Sequence, residues 1–506
     1  MAKVVKVRPP KRNFLDEAPK PVTREKVASP ETAELQEWAT AALQPGKKVL
    51  KKPVSGAAIV ASAKTTKAAR PEIKLAPKAS ALLTASLGAA RAEYKDHRIM
   101  AVGRAEKLIM GLQVPFLLEY VLGQSVLQLS QFYQVVGEPS SNKSAFGFEL
   151  VRIFAENGGF GYLIENENKF SPNFANSICG YPDELGTPDN PVETLGVVPA
   201  NSLEDWQAKY QYLHRQVRQR MEPAKTKKNR APGLGRIYPV MFMLDSISGK
   251  LSEGKADKIE DRGFASRDYA VEAALIQDFL KKIVVDLVGW PFIFVAINHL
   301  KKRQKQVGHG IDRQKPGGTH ISFQEATELE LTRIKKLRYV DARTGAVSSE
   351  TGGNRIKIQN KKNSMGQDER SVNVDILWRY DRSPADGEVR QYTEWDWGGG
   401  LVELLTTIES ATARKQIREI VDITAKADGK VRLYYSKALG IRESAAVTRK
   451  ELGMAIEARD DMRAALRRVF GIATYGQFQA GTDYLKEIQK RVAVVAKTAN
   501  RASEKK

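Results

Sequence analysis

The chain has 506 residues, 42% of them hydrophobic, which is enough for a buried core in more than one domain. Its 81 Lys and Arg against 59 Asp and Glu leave a formal charge of +22, so a polyanionic partner is expected, with nucleic acid favoured over membrane. No apolar run reaches the roughly 18 residues of a membrane helix and the basic start lacks an apolar signal core, while the single cysteine, Cys179, rules out intrachain disulfides and a Cys-rich zinc site. With five histidines and no HExxH pattern, a metal held by protein ligands alone is not expected, and the location expected is cytoplasmic and reducing.

Residues 1–90 carry 17 Lys and Arg against 7 Asp and Glu, and prolines recur from Pro9 to Pro77. That composition predicts a disordered basic tail, with a short helix at Glu31–Leu43, acting as a phosphate-binding arm or a docking segment. From residue 91 to 394 apolar strands alternate with helical segments. The strands expected are Phe132–Val136, Tyr162–Glu165, Val240–Asp245, Phe292–Ile297 and Glu328–Ile334; the helices are Ala145–Glu156, Leu203–Arg220 and Tyr269–Val288. Near-continuous apolar strands mean burial on both faces, hence an α/β fold with a mainly parallel sheet flanked by helices. Glu222–Arg236 reads as an inserted basic loop. Residues 395–489 read as a small helical C-terminal module with helices at Leu401–Ser410, Arg414–Lys426 and Glu457–Val469, and residues 490–506 as a charged tail.

The most informative segment is Gly137, Glu138, Pro139, Ser140, Ser141, Asn142, Lys143, Ser144, directly after the first strand. A loop of this shape aims backbone N–H groups at phosphate oxygens, its lysine reaches the terminal phosphates, and its hydroxyl reaches Mg²⁺. The helix that follows sets the phosphates on its N-terminus. Asn142 stands where the usual pattern has glycine; asparagine tolerates positive φ, so the loop can survive the replacement. A second strand ends in Asp245, fit to hold the magnesium shell. A third ends in Glu165 and Glu167, either of which could activate water. A fourth ends in Asn298 and His299, at the edge where open α/β sheets bind ligands.

These segments resemble the RecA-type recombinases, most closely their phage UvsX-like branch. The resemblance spans residues 110–380 well and the C-terminal module loosely, and implies a RecA-like P-loop ATPase core using ATP and Mg²⁺. It places Gly137–Ser144 as the Walker A loop, Glu167 as the water-activating base, Phe174 as the ring that stacks on adenine, Asp245 as the Walker B end, and Asn298 with His299 as the γ-phosphate sensor. Lys301, Lys302, Arg303, Lys305, Arg313, Lys315, Gly317 and Gly318 fall in the second DNA-binding loop. Arg262 and Phe264 fall in the first, Ser252–Ser266, with Arg267 adjoining it. Lys361 and Lys362 match lysines that reach a neighbouring subunit's nucleotide. The implied partners are single-stranded DNA, homologous duplex DNA, further copies of the chain in a helical filament, a single-strand-binding protein and a loading mediator. The chain departs from the family at Asn142, in the long 179–236 stretch and in the basic N-terminus. Two other readings remain open: a RecA-like ring helicase or DNA motor, and a non-catalytic ATP-regulated DNA-coating protein.

Overall fold

The computed structural model describes residues 86, 110–179, 194–221, 237–247, 268–304, 311–314, 324–340, 347–364, 369–382, 389–428 and 431–478. The chain divides into two units, Met1–Ala76 and Pro77–Lys506, and the described residues all belong to the second. The expected basic tail apart from residue 86, the helix at Glu31–Leu43, the Glu222–Arg236 loop and the charged tail lie outside the described residues.

In chain order the elements are β1 (Met110–Leu112), α1 (Phe116–Leu122), β2 (Leu127–Gln128), β3 (Gln131–Gly137), α2 (Lys143–Glu156), β4 (Phe160–Glu165), α3 (Pro172–Cys179), β5 (Leu195–Pro199), α4 (Leu203–Met221), β6 (Val240–Asp245), α5 (Asp268–Leu287), β7 (Phe292–His299), β8 (Lys301–Gln304), β9 (Ile311–Gln314), β10 (Thr327–Val340), β11 (Val347–Asn363), β12 (Ser371–Arg382), β13 (Val389–Trp395), α6 (Trp397–Thr407), α7 (Ala411–Ile420), β14 (Thr424–Asp428), β15 (Val431–Tyr435), α8 (Arg449–Glu457), α9 (Asp460–Phe470) and β16 (Gly476–Gln477).

A nine-stranded sheet in the order β13-β12-β11-β10-β3-β7-β6-β4-β5 organises the core. From β10 to β5 neighbouring strands run parallel, and from β10 to β13 they alternate in direction. The parallel centre follows from sequence: Val240, Met241, Phe242, Met243 and Leu244 are wholly buried, as are Phe292 to Ile297, so both faces of these strands are covered. The five expected strands all lie within observed ones, as do the three core helices to within two residues at each end. No helix among the described residues is long and apolar enough to cross a membrane.

The antiparallel half differs from expectation. Glu328–Ile334 is only the first half of β10, and β11, β12 and β13 were not foreseen. Beyond Leu331, β10 leaves β3 and continues paired with β11 alone, exposing Arg333, Lys335, Lys336 and Arg338. Strands with a wet face and alternating charge do not give the continuous apolar run that marks a central strand.

The C-terminal segment is less purely helical than expected. Arg414–Lys426 is not one helix: α7 stops at Ile420, Val421 is extended, and Thr424–Asp428 pairs with β15 as a hairpin. Only Ile417 of α7 is buried, too little to carry the helix through the β-branched Val421 and Ile423. Glu457–Val469 is also split, since Arg459 is extended and separates α8 from α9. The glycines Gly398, Gly399 and Gly400 belong to α6, capped by Asp396, whose Oδ1 accepts from Gly399 N at 2.8 Å. They allow a close crossing with α8, where a Cβ on Gly453 would lie 2.0 Å from Gly398 O. Phe116 of α1 packs among Leu401, Leu405, Leu452 and Leu466, while Leu117, Leu118 and Val121 join the core of the large sheet.

Candidate functional site

The parallel strands bring their C-terminal ends level with one another. Glu165 stands opposite Asp245, Asp245 opposite Ile297, and Gly137 opposite His299. At Gly137 any Cβ would lie 2.4 Å from both Leu331 O and Ser141 Oγ, so the chain can turn there only without a side chain. Pro139 and Ser140 form the exposed crest of the loop. Asn142 has φ 68°, the left-handed conformation that a replacement for glycine must adopt, and its carbonyl accepts from Phe146 N at 2.9 Å. The Asn142 side chain accepts from Asn354 Nδ2 at 3.4 Å, which ties the loop to β11.

Lys143 opens α2 and folds back into the loop, where its Nζ donates to the carbonyls of Gly137 (3.0 Å) and Glu138 (2.8 Å). Burial lowers its pKa to about 8, opposed by the nearby carboxylates of Asp245 and Glu167. Ser144 Oγ donates to Asp245 Oδ2 at 2.5 Å. Burial pushes the Asp245 carboxyl up, and the Ser144 hydrogen bond works against that. Among the described residues no three His, Cys, Asp or Glu side chains converge as metal ligands. Ser144 and Asp245 nevertheless offer two oxygens that could hold Mg²⁺ if phosphate and water completed its octahedron.

The two acids at the end of β4 and just beyond it have separate jobs. Glu165 Oε1 accepts from the backbone N–H groups of Glu167 (3.0 Å) and Lys169 (2.9 Å), so it shapes its own turn. Glu167 faces the loop: its Oε1 accepts from Ser246 Oγ (2.5 Å) and lies 2.9 Å from His299 Nε2, and its Oε2 lies 3.0 Å from Lys169 Nζ. A carboxylate only accepts, so His299 carries a proton on Nε2. Its hydrogen bond, joined by those of Ser246 and Lys169, holds Glu167 well below the usual carboxylate range despite burial. Ser246 and Asn166 clamp the ends of β6 and β4 through reciprocal 2.6 Å bonds, across the cis Asp245–Ser246 peptide.

A cleft of about 260 Å³ is lined by Ser140 to Ala145, Glu167, Asp245 and His299. Its apolar wall is Phe174, Ile376 and Trp378, with Thr393 and Asn354 beside them. Phe174 is 38% exposed and meets Phe148 edge-on at 6.0 Å. Asn354 opens the basic segment that ends in Lys361 and Lys362 but was not expected at the site, and Ile376, Trp378 and Thr393 escaped because β12 and β13 did. The period-two run Val372, Val374, Ile376 was the signal available for β12.

Asn298 is buried beside this group and accepts His299 N through its Oδ1 at 2.9 Å, without lining the cleft. Lys361 and Lys362 are not brought to this chain's cleft. They sit back along β11, where Lys361 Nζ is 3.4 Å from Glu330 and Lys362 Nζ donates to Glu325 O at 2.8 Å. Lys301, Lys302 and Arg303 lie on β8, which starts two residues after His299 and pairs with β9, the strand carrying Arg313. Lys305, Lys315, Gly317, Gly318, Arg262, Phe264 and Arg267 lie outside the described residues. No family model matches this sequence, and no curated protein matches it.

Proposed function

We propose that the protein is an ATP-dependent DNA recombinase with a RecA-like core, which forms a filament on single-stranded DNA and promotes homologous pairing and strand exchange. The observation that carries this reading is the convergence of Lys143, Ser144, Asp245, Glu167 and His299 on one cleft at the carboxyl edge of a parallel sheet. Lys143 is already aimed into the loop and would exchange two carbonyls for phosphate oxygens. Ser144 and Asp245 would hold Mg²⁺, which neutralises phosphate charge. Glu167 would take the proton of the attacking water, and Phe174 would cover the base.

The DNA side rests on position and charge. His299 touches Glu167 and lies two residues before the β8–β9 ribbon, with its Lys301, Lys302, Arg303 and Arg313, so occupancy of the cleft and the ribbon are mechanically adjacent. The exposed Arg333, Lys335, Lys336 and Arg338 of β10 add a phosphate-tracking strip suited to salt-dependent, sequence-indifferent binding. A cytoplasmic site of action belongs to this reading.

Phosphate release by the purified chain, with and without single-stranded DNA, tests it. DNA should stimulate turnover, and Lys143→Ala should abolish it; unchanged turnover in that variant would refute the site. Closed rings on ATP–DNA in electron micrographs would favour a helicase or motor. ATP-dependent DNA binding without turnover would favour a coating protein.

A further inference from the structure

We infer that Lys169 serves the hydrolysis site as a cation in cis, pairing with Glu167 while the cleft is empty and with the terminal phosphate once a nucleotide fills it. This rests on the ATPase reading above and adds a residue to it.

The argument starts from the crowding on Glu167. Ser246 Oγ and His299 Nε2 occupy its Oε1, and Lys169 Nζ occupies its Oε2. A carboxylate carrying three donors is a poor base, so at least one must leave before it accepts a proton from water. The three are not equally free. Ser246 is wholly buried and locked to Asn166, and the His299 side chain, 27% exposed, sits at the end of a core strand. The Lys169 side chain is 78% exposed. An ion pair so exposed on the lysine side is held weakly, so the multiple charges of a polyphosphate would outcompete a single carboxylate for it.

The stem of Lys169 is placed for that exchange. Its backbone N–H is fixed at 2.9 Å by Glu165 Oε1, which anchors the base of the side chain beside the cleft that Glu167 lines. Transfer of the ammonium then does two things. It frees Glu167 Oε2 to act as a base, and it brings a positive charge to the phosphoryl oxygens. In the step itself, the water oxygen bonds to the γ-phosphorus as the bond to the bridging oxygen breaks. The electron pair leaves with ADP, and the water proton passes to Glu167.

The test is steady-state ATP hydrolysis by the full chain on single-stranded DNA, for wild type, Lys169→Met and Lys169→Arg, from about pH 5 to 9. Lys169→Met should lower kcat by about tenfold or more with little change in KM, the mark of an interaction made in the transition state. Lys169→Arg should retain most of the rate. The acid limb of the kcat/KM profile, which reports the free enzyme, should move to higher pH in Lys169→Met, because Glu167 has lost a donor there. An active wild type with unchanged kcat and pH profile in Lys169→Met would overturn the Lys169 role alone. A wild type that turns over no ATP would overturn the ATPase reading and this role with it.

Discussion

Glu119→Gln isolates the contact that ties the first described helix to the last. Glu119 is wholly buried on α1 and receives both guanidinium groups of α9: Arg467 through Nε to Oε2 (2.7 Å) and Nη2 to Oε1 (2.7 Å), and Arg463 on Oε1. Glutamine keeps the shape but removes the charge, leaving two guanidiniums facing a neutral amide. Breaking a buried pair from one side costs about 3–5 kcal/mol. Arg467, 16% exposed, recovers part of this from water, whereas Arg463, 5% exposed, keeps the Val114 carbonyl at 3.0 Å and has Glu457 Oε2, at 3.8 Å, as its nearest other carboxylate. We therefore expect a loss of about 3 kcal/mol, near the lower end of that range. Urea unfolding followed by far-UV circular dichroism would report it as a lower midpoint at unchanged slope. The deficit should be larger at pH 6 than at pH 8, because burial pushes Glu457 up to about 7, and only above that does it offer Arg463 a full charge. A loss below about 1 kcal/mol at pH 6 would refute the claim that this triad holds the α1–α9 contact.

Glu457 makes a prediction of its own. Its folded pKa, about 7, is raised from the ordinary 4.5 mainly by burial, so its stabilising contribution is complete below the ordinary value and lost as pH rises through about 7. Stability should fall by about 2–3 kcal/mol between pH 5 and 8 from this group, and Glu457→Gln should flatten that part of the melting temperature profile; an unflattened profile would reject the assignment. On the proposed ATPase reading, Asn142→Gly should keep nucleotide binding. Asn142→Val, which forces a β-branched side chain to φ 68°, should cost about 1–2 kcal/mol and weaken binding of a fluorescent ATP analogue about tenfold. Equal binding by the valine variant would mean that the loop does not need the left-handed residue.

What the sequence determined by itself was whatever is written contiguously. The strands β3, β6 and β7 were legible because burial on both faces demands unbroken apolar runs. The loop was legible because Gly137 to Ser144 lie contiguously between β3 and α2, and Asn142 because its chemistry allows the left-handed conformation it takes. Thr448 and Glu451 also write a helix start in plain sequence, a reciprocal capping box at the head of α8. Tertiary structure decided the rest. Glu165 and Glu167 are both plausible bases on paper, and only the turn after β4 commits one to backbone amides and the other to the cleft. Trp378 and Ile376 reach the cleft wall from β12, more than 200 residues after the loop they face. Arg463 and Glu119 are 344 residues apart, and no local pattern marks either for burial. Periodicity records which side of an element is covered, but which distant side chain covers it is fixed only when the layers pack.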